Sequence, residues 1–318
     1  MQEPQHTCFA GVDVAKETLV IAMEGTSAPA GVRTIDNNCS QIRAWLRTLP
    51  AACAVAVEAT GGYQDVLVKL AHGQGRTVYV LNPRDVHHYA KACATRGKTD
   101  RVDAQIIARY AFKEHEHLRP WQPPSERALR VKELLRQREL IASTLGALGQ
   151  GLKARGQAAI RALQRARSQI DAELLQIMRS EPVLRAGYER LRTITGIGPL
   201  IGAAVADLLT ERHFANADAA VAFTGMDPRP HESGKSIGRR RLSKRGSPSL
   251  RRLLFLAAMA ARRSKAFAPL YEQLRNRGLK STEALVILAR KILRIAFSIW
   301  NSGQNFDPAL LKQACAKP

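Results

Sequence analysis

The sequence predicts an α/β layer domain, then a helical coiled-coil arm, then a mainly α C-terminal region, and three observations carry that expectation. From Cys8 to Phe112, apolar runs of strand length alternate with helix-spaced segments. A Pro-rich piece, Pro120 to Glu126 (PWQPPSE), breaks the pattern, and beyond it the chain becomes charged helix. From Thr195 onward, apolar helices alternate with a basic, Gly-rich loop. The expected domains are therefore 1–122, 123–185 and 186–318, and 45% apolar residues in a chain of 318 can supply their cores.

Taken in order, residues 8–22 (CFAGVDVAKETLVIA) hold an apolar run before Asp13 and another after Lys16, which predicts two strands joined by a tight turn. Val55 and Val57 alternate before Glu58 in a second β-rich run, Ala52 to Gly62, that stops at a Gly pair. A third run, Arg76 to Pro83, ends at Asn-Pro. Ser40 to Leu49 and Gln64 to His72 have helical spacing. So does DRVDAQIIARYAF from Asp100, where Asp100 and Asp103 fall one turn apart on the same face. Between Leu129 and Met178, apolar residues recur at heptad-like steps, predicting an antiparallel helical hairpin. It serves either as an intramolecular pair or as an oligomerisation arm. Gly146, Gly149, Gly151 and Gly156 mark where it should weaken or turn.

Charge narrows the function. Lys and Arg number 49 against 27 Asp and Glu, a formal +22, which implies a polyanionic partner, nucleic acid first. A membrane is disfavoured: no long helix pairs an aromatic-rich face with a basic one, and the longest apolar run, Leu253 to Ala261, is far short of the ~20 residues of a bilayer span. The five scattered cysteines form no C-x-x-C arrangement, so neither a disulfide framework nor a zinc site is suggested. MQEPQHTC has no signal-peptide core. A cytoplasmic, nucleoid-associated protein is expected.

The chemistry-bearing residues are acidic and basic in separate places. Two-metal phosphodiester cleavage needs carboxylates that hold hard cations ~3.5 to 4 Å apart, and Asp13, Glu58, Asp100 and Asp103 offer four, two at strand ends and two on one helix face. Such donors suit magnesium better than zinc. Each has a plainer reading: Asp13 and Glu58 as turn acids, Asp100 as a helix N-cap with Asp103 in the first turn. Nine basic residues lie between Arg229 and Arg252 (Arg229, Lys235, Arg239, Arg240, Arg241, Lys244, Arg245, Arg251, Arg252) against one acid, Glu232. With Lys98, all of these except Arg229 are the candidate phosphate contacts. Gly196-Ile197-Gly198-Pro199 opens a helix, either as a phosphate-holding turn or as a plain Pro-initiated start.

Together, GVDVAKETL, VEATGGY, LNP and KTDRVDAQIIARY resemble the N-terminal domain of the DEDD transposases of the insertion-sequence-110 family, whose fold is RNase H-like of the RuvC type. ITGIGPLIGAAV, AFTGMDP, ESGKS and SPSLRRLLF are similar to that family's C-terminal transposase domain. The resemblance covers nearly the whole chain. It implies that Asp13, Glu58, Asp100 and Asp103 hold magnesium, two ions in all, and that Ser233 is a nucleophile that links covalently to DNA. It further implies a site shared between protomers of a dimer or tetramer, DNA substrates comprising element ends and target, and a structured guide RNA encoded by the element. On residue chemistry alone, Ser236, Ser243, Ser247 and Ser249 compete with Ser233, although Ser247 before Pro248 also suits a helix N-cap. His231 beside Glu232 could act as a base but is more simply a solvated residue. Two alternatives stay open: a Holliday-junction-type nuclease whose tetrad activates water, and a basic nucleic-acid-binding protein whose carboxylates are only structural.

Overall fold

The computed structural model describes residues 6–26, 31–93, 99–151, 156–229, 232–233, 236–237, 241–309 and 311. The chain divides into two compact units, Met1–Pro123 and Pro124–Pro318. Among the described residues no helix is long and apolar enough to cross a membrane.

The first unit is built on a five-stranded mixed sheet in the order β3-β2-β1-β4-β5. Strands β1 (Cys8–Val14), β2 (Thr18–Gly25) and β3 (Val32–Asp36) run antiparallel in sequence, and β4 (Cys53–Glu58) and β5 (Val78–Leu81) add in parallel beside β1. This is the RNase H-like arrangement that the resemblance implied. Alternation along the strands splits the core between two faces. Val12, Val14, Val55 and Val57 pack with Ile42, Trp45 and Leu46 of α1 (Cys39–Thr48) and Leu67, Val68 and Ala71 of α2 (Asp65–Gly73). On the other face, Phe9, Ala54 and Ala56 meet Val86 of α3 (Pro83–Ala92) and Ile106, Ile107 and Ala111 of α4 (Asp100–Glu114). Helix α4 approaches unusually closely because Gly11 has no side chain: a Cβ there would lie 2.2 Å from the Ala108 backbone nitrogen and 2.5 Å from the Ala104 carbonyl oxygen.

The second unit is helical. Helices α5 (Glu126–Gly151) and α6 (Gln157–Arg179) form the hairpin, tied by Arg130–Glu173 and Arg138–Asp171 pairs. Helix α5 runs unbroken through Gly146 and Gly149 and ends at Gly151, and Gly156 is the N-cap of α6, so two of the four glycines lie inside the helix and two at the adjoining helix ends. The remaining helices are α7 (Pro182–Arg192), α8 (Pro199–Glu211), α9 (Ala217–Phe223), α10 (Pro248–Ala261), α11 (Ala268–Asn276) and α12 (Ser281–Ser302). Gly198 is the N-cap of α8 with Pro199 at its first position, the helix start read from the sequence. The hairpin's base, Val131, Leu134, Leu174 and Met178, joins the same core as α8, α10 and α12.

Where α5 meets α8, Arg127 bonds Asp207 at 3.2 Å and Glu211 at 2.5 Å, and the Ser125 hydroxyl donates to Glu211 at 2.7 Å. The two carboxylates respond oppositely. Burial, helped by the Glu211 charge and opposed by Arg127, pushes the Asp207 carboxyl up to about 6. Burial also works against ionised Glu211, but the hydrogen bonds from Ser125 and Arg127 outweigh it and hold that carboxyl low.

Candidate active site

Strand pairing brings the first two carboxylates together. In the parallel β1–β4 ladder Val12 pairs with Val57, so Asp13 and Glu58 are the next residues on adjacent strands, both at C-terminal ends. Because Val12 and Val57 face α1 and α2, alternation assigns Asp13 and Glu58 to the α4 face. Both are half-buried.

Helix α4 runs antiparallel to β1. The Phe9 ring lies 6.0 Å from that of Phe112 and 5.1 Å from that of His115, whereas Gly11 abuts Ala108 and Ala104. Advancing two residues along the strand covers about 6.6 Å, or about four helical residues, which brings Asp13 level with the first turn of α4. Consistently, Ala104 packs with Val20, the residue paired with Asp13 across β1–β2. That first turn carries Asp100 and Asp103. The helix is capped by Thr99, whose hydroxyl accepts from the Val102 amide at 3.4 Å, so Asp100 is not the N-cap that its plainer reading made it.

All four carboxylates thus belong to one end of one face of the sheet. They do not form a closed coordination shell: among the described residues no three His, Cys, Asp or Glu side chains are close enough to hold one metal ion. An all-oxygen donor set nonetheless fits a hard divalent cation in its chemistry, and the four groups share a location.

Two features beside the carboxylates were not read from the sequence. The β4–α2 loop, Ala59 to Gln64, is pinned: Gln64 Oε1 accepts from the amides of Thr60 (3.1 Å) and Gly62 (3.2 Å). Asn37 Nδ2 donates both to the Tyr63 carbonyl (3.2 Å) and to the Ala15 carbonyl in the β1–β2 turn (3.0 Å). The Gly pair after Glu58 was the available signal, but it read only as a strand stop.

The second unit holds the serine. Strands β6 (Pro228–Arg229) and β9 (Arg241–Leu242) pair antiparallel, and beyond them β7 (Glu232–Ser233) pairs with β8 (Ser236–Ile237), Ser233 opposite Ser236. The base of this excursion is a neck of touching backbones. Gly225 (φ +70°) would place a Cβ 2.5 Å from the Arg245 amide nitrogen, and Gly246 would place one 2.1 Å from the Phe223 carbonyl oxygen. Lys244 and Ser243 amides donate to the carbonyls of Gly225 and Asp227, each at 2.9 Å, and the Ser243 hydroxyl donates to the Asp227 carboxylate.

Of the other candidate serines, Ser243, Ser247 and Ser249 have structural partners, Ser243 being the donor to Asp227 in the neck. Ser247 caps α10, accepting from the Leu250 amide, as its plainer reading expected, and Ser249 donates to Glu139 at 2.6 Å. Of the candidate phosphate contacts, Arg241, Lys244 and Arg245 are exposed, and Arg252 is 52% exposed beside Glu139. Arg251 points inward, its Nη1 donating to the carbonyls of Thr224 (3.1 Å) and Gly246 (2.6 Å). Lys98, His231, Lys235, Arg239 and Arg240 lie outside the described residues.

A protein of Moraxella bovis described as a pilin gene-inverting protein is 28% identical, over 94% of this chain and 97% of its own length. A probable family 20 transposase of Pseudomonas aeruginosa is also 28% identical, over 70% of this chain and 74% of its own. Thermus thermophilus RuvC, solved in complex with a Holliday junction substrate, is 16% identical with a TM-score of 0.29, covering 36% of this chain and 100% of RuvC. A DEDD transposase profile of IS110 matches residues 10–155, and one described as transposase of the IS116/IS110/IS902 family matches residues 188–272. With the first spanning all four carboxylates and the second spanning the serine hairpin and its neck, the chain belongs to the IS110 family of transposases.

Proposed function

We propose that this transposase cuts element-end and target DNA, joins itself to the broken strand through Ser233, and exchanges strands before resealing. The observation that carries the reading is the pair Asp13 and Glu58 at the ends of adjacent parallel strands, level with the first turn of a helix bearing Asp100 and Asp103. When bound, two magnesium ions on these four carboxylates would stabilise negative charge on the attacking and leaving oxygens. The Ser233 oxygen attacks phosphorus and a deoxyribose oxygen leaves with a proton. The resulting phosphoserine ester keeps the energy of the broken bond, so a hydroxyl of the incoming strand can displace Ser233 without ATP. Arg241, Lys244, Arg245 and Arg252, with Lys98, Lys235, Arg239 and Arg240, hold backbone phosphates.

Support comes also from the Moraxella relative, named for inverting a pilin gene, since inversion requires strands to be cut and rejoined. A structured element-encoded RNA selects the DNA in this reading, and the formal charge of +22 accommodates both polyanions. The acting form is a homo-oligomer, dimer or tetramer.

The test is to incubate the protein with its element-end DNA, its RNA and magnesium, and to look for a covalent protein–DNA band on denaturing electrophoresis. The band should vanish in both Ser233→Ala and Asp13→Ala. Cleavage that continues in Ser233→Ala without any band replaces the recombinase with a water-using nuclease. Binding with no cleavage under any condition replaces it with a nucleic-acid-binding protein.

A further inference from the structure

We infer that Tyr63 is a stacking platform for an unpaired base of the DNA strand that reaches the carboxylate end of the sheet, with Lys16 contacting that strand's phosphate. The inference rests on the recombinase reading of that end. Tyr63 is 46% exposed, and with Val66 (39%) it is one of the two large hydrophobic side chains most exposed among the described residues of the first unit. An exposed tyrosine alone is unremarkable. This one stands on a fixed base five positions after Glu58, at the end of β4.

Besides the Gln64 and Asn37 bonds, the Tyr63 amide donates to the Thr60 carbonyl at 3.1 Å and the Asp65 amide to that of Gly62 at 3.1 Å. Gly61 (φ +60°) and Gly62 (φ +97°) shape the turn, and a Cβ on Gly61 would sit 3.8 Å from the Tyr63 ring, so glycine there leaves that flank uncovered. Lys16 is exposed in the turn after β1, next to Ala15. One amide group, Asn37 Nδ2, ties the Ala15 and Tyr63 carbonyls together, so cation and aromatic ring ride on one rigid loop cluster beside Asp13 and Glu58. A cation for the backbone and an aromatic face for the base are what single-strand binding uses, and stacking tolerates any base. Strand exchange requires a strand to leave its duplex.

Binding of the full chain to a labelled single-stranded DNA oligonucleotide, to its duplex and to the RNA of the same sequence tests this by fluorescence anisotropy. The assay is run in EDTA, so that no cleavage occurs, and at about 0.3 M salt to screen non-specific phosphate contacts. Tyr63→Ala should weaken single-stranded DNA roughly tenfold while leaving duplex binding and thermal melting unchanged. Tyr63→Phe and Tyr63→Trp should bind as wild type, and Lys16→Gln should lower the salt dependence by about one phosphate contact. Wild type should quench 2-aminopurine placed in the strand, and Tyr63→Ala should not. Equal single-strand binding by Tyr63→Ala, loss in Tyr63→Phe equal to that in Tyr63→Ala, or a Tyr63 effect confined to RNA would each overturn the inference. Because no cleavage is read, failure of the Ser233 adduct experiment alongside Tyr63-dependent binding overturns the recombinase reading alone.

Discussion

Replacing Gly11 by alanine tests whether the seating of α4 on β1 governs the carboxylates. The new methyl carbon would lie 2.2 Å from the Ala108 nitrogen, and ordinary contact begins at 3.4 Å, so the helix must recede by about 1.2 Å. The atoms met are backbone on both sides, leaving no flexible side chain to step aside, so the cost belongs at the upper end of overpacking, about 2–3 kcal/mol. At ~4 °C per kcal/mol for a unit of this size, calorimetry should show a fall of about 8–12 °C in its melting temperature. The same displacement carries Asp100 and Asp103 away from Asp13 and Glu58. A misplacement of ~1 Å can cost ~100-fold in rate, so DNA cleavage measured well below the melt should drop by about that factor. A Gly11→Ala variant that melts within about 2 °C of wild type and cleaves at the same rate would refute the close-contact argument and its link to the site.

Gly146→Ala and Gly149→Ala meet nothing within 4 Å and lie inside α5. Each should raise stability to urea by about 0.5–1 kcal/mol, and a fall would mean that the hairpin is not helical there. Asp207→Asn should make stability less dependent on acidity. The folded carboxyl, at about 6, lies above its ordinary 3.8, so protonation favours the folded state and wild type gains stability as pH falls through 6. The variant should therefore exceed wild type by about 2–3 kcal/mol above pH ~7, and the gap should close by pH ~4. Urea curves offset equally at both pH values contradict that origin. Arg251→Ala removes the donor to the Thr224 and Gly246 carbonyls and should cost about 1–2 kcal/mol, with faster hydrogen exchange at the Ser243 and Lys244 amides. Unchanged exchange there would show that the neck stands without it.

What the sequence made legible follows from how strongly each element's burial is written in its composition. Strands β1 and β4 have apolar runs ending at a carboxylate, and α4 announces itself through Ile106, Ile107 and Tyr110. Edge strand β3 does not, because Arg33 and Thr34 are exposed and only Ile35 is buried. Nor does α3, which buries Val86 alone. Where α4 comes closest to β1, Ala104 and Ala108 lie against Gly11, and small residues carry little hydropathy, so that close approach is silent in the sequence. Pairing is tertiary, which is why Asp13 and Glu58 read as strand ends but not as neighbours. Charge was equally ambiguous: Arg251 counts as a basic residue, yet its Nη1 binds two carbonyls of the fold.

The neck at Gly225 and Gly246 separates two kinds of design constraint. Residues 228–242 leave and re-enter the helical unit where two backbones already touch, so their ends are joined whatever lies between. Lengthening such a loop adds only about 0.6 kcal/mol of closure entropy per doubling. As far as folding is concerned, the segment bearing Ser233 is thus a cassette of loosely constrained length whose sequence answers to its chemistry, while the two glycines and the helices behind them admit almost no change.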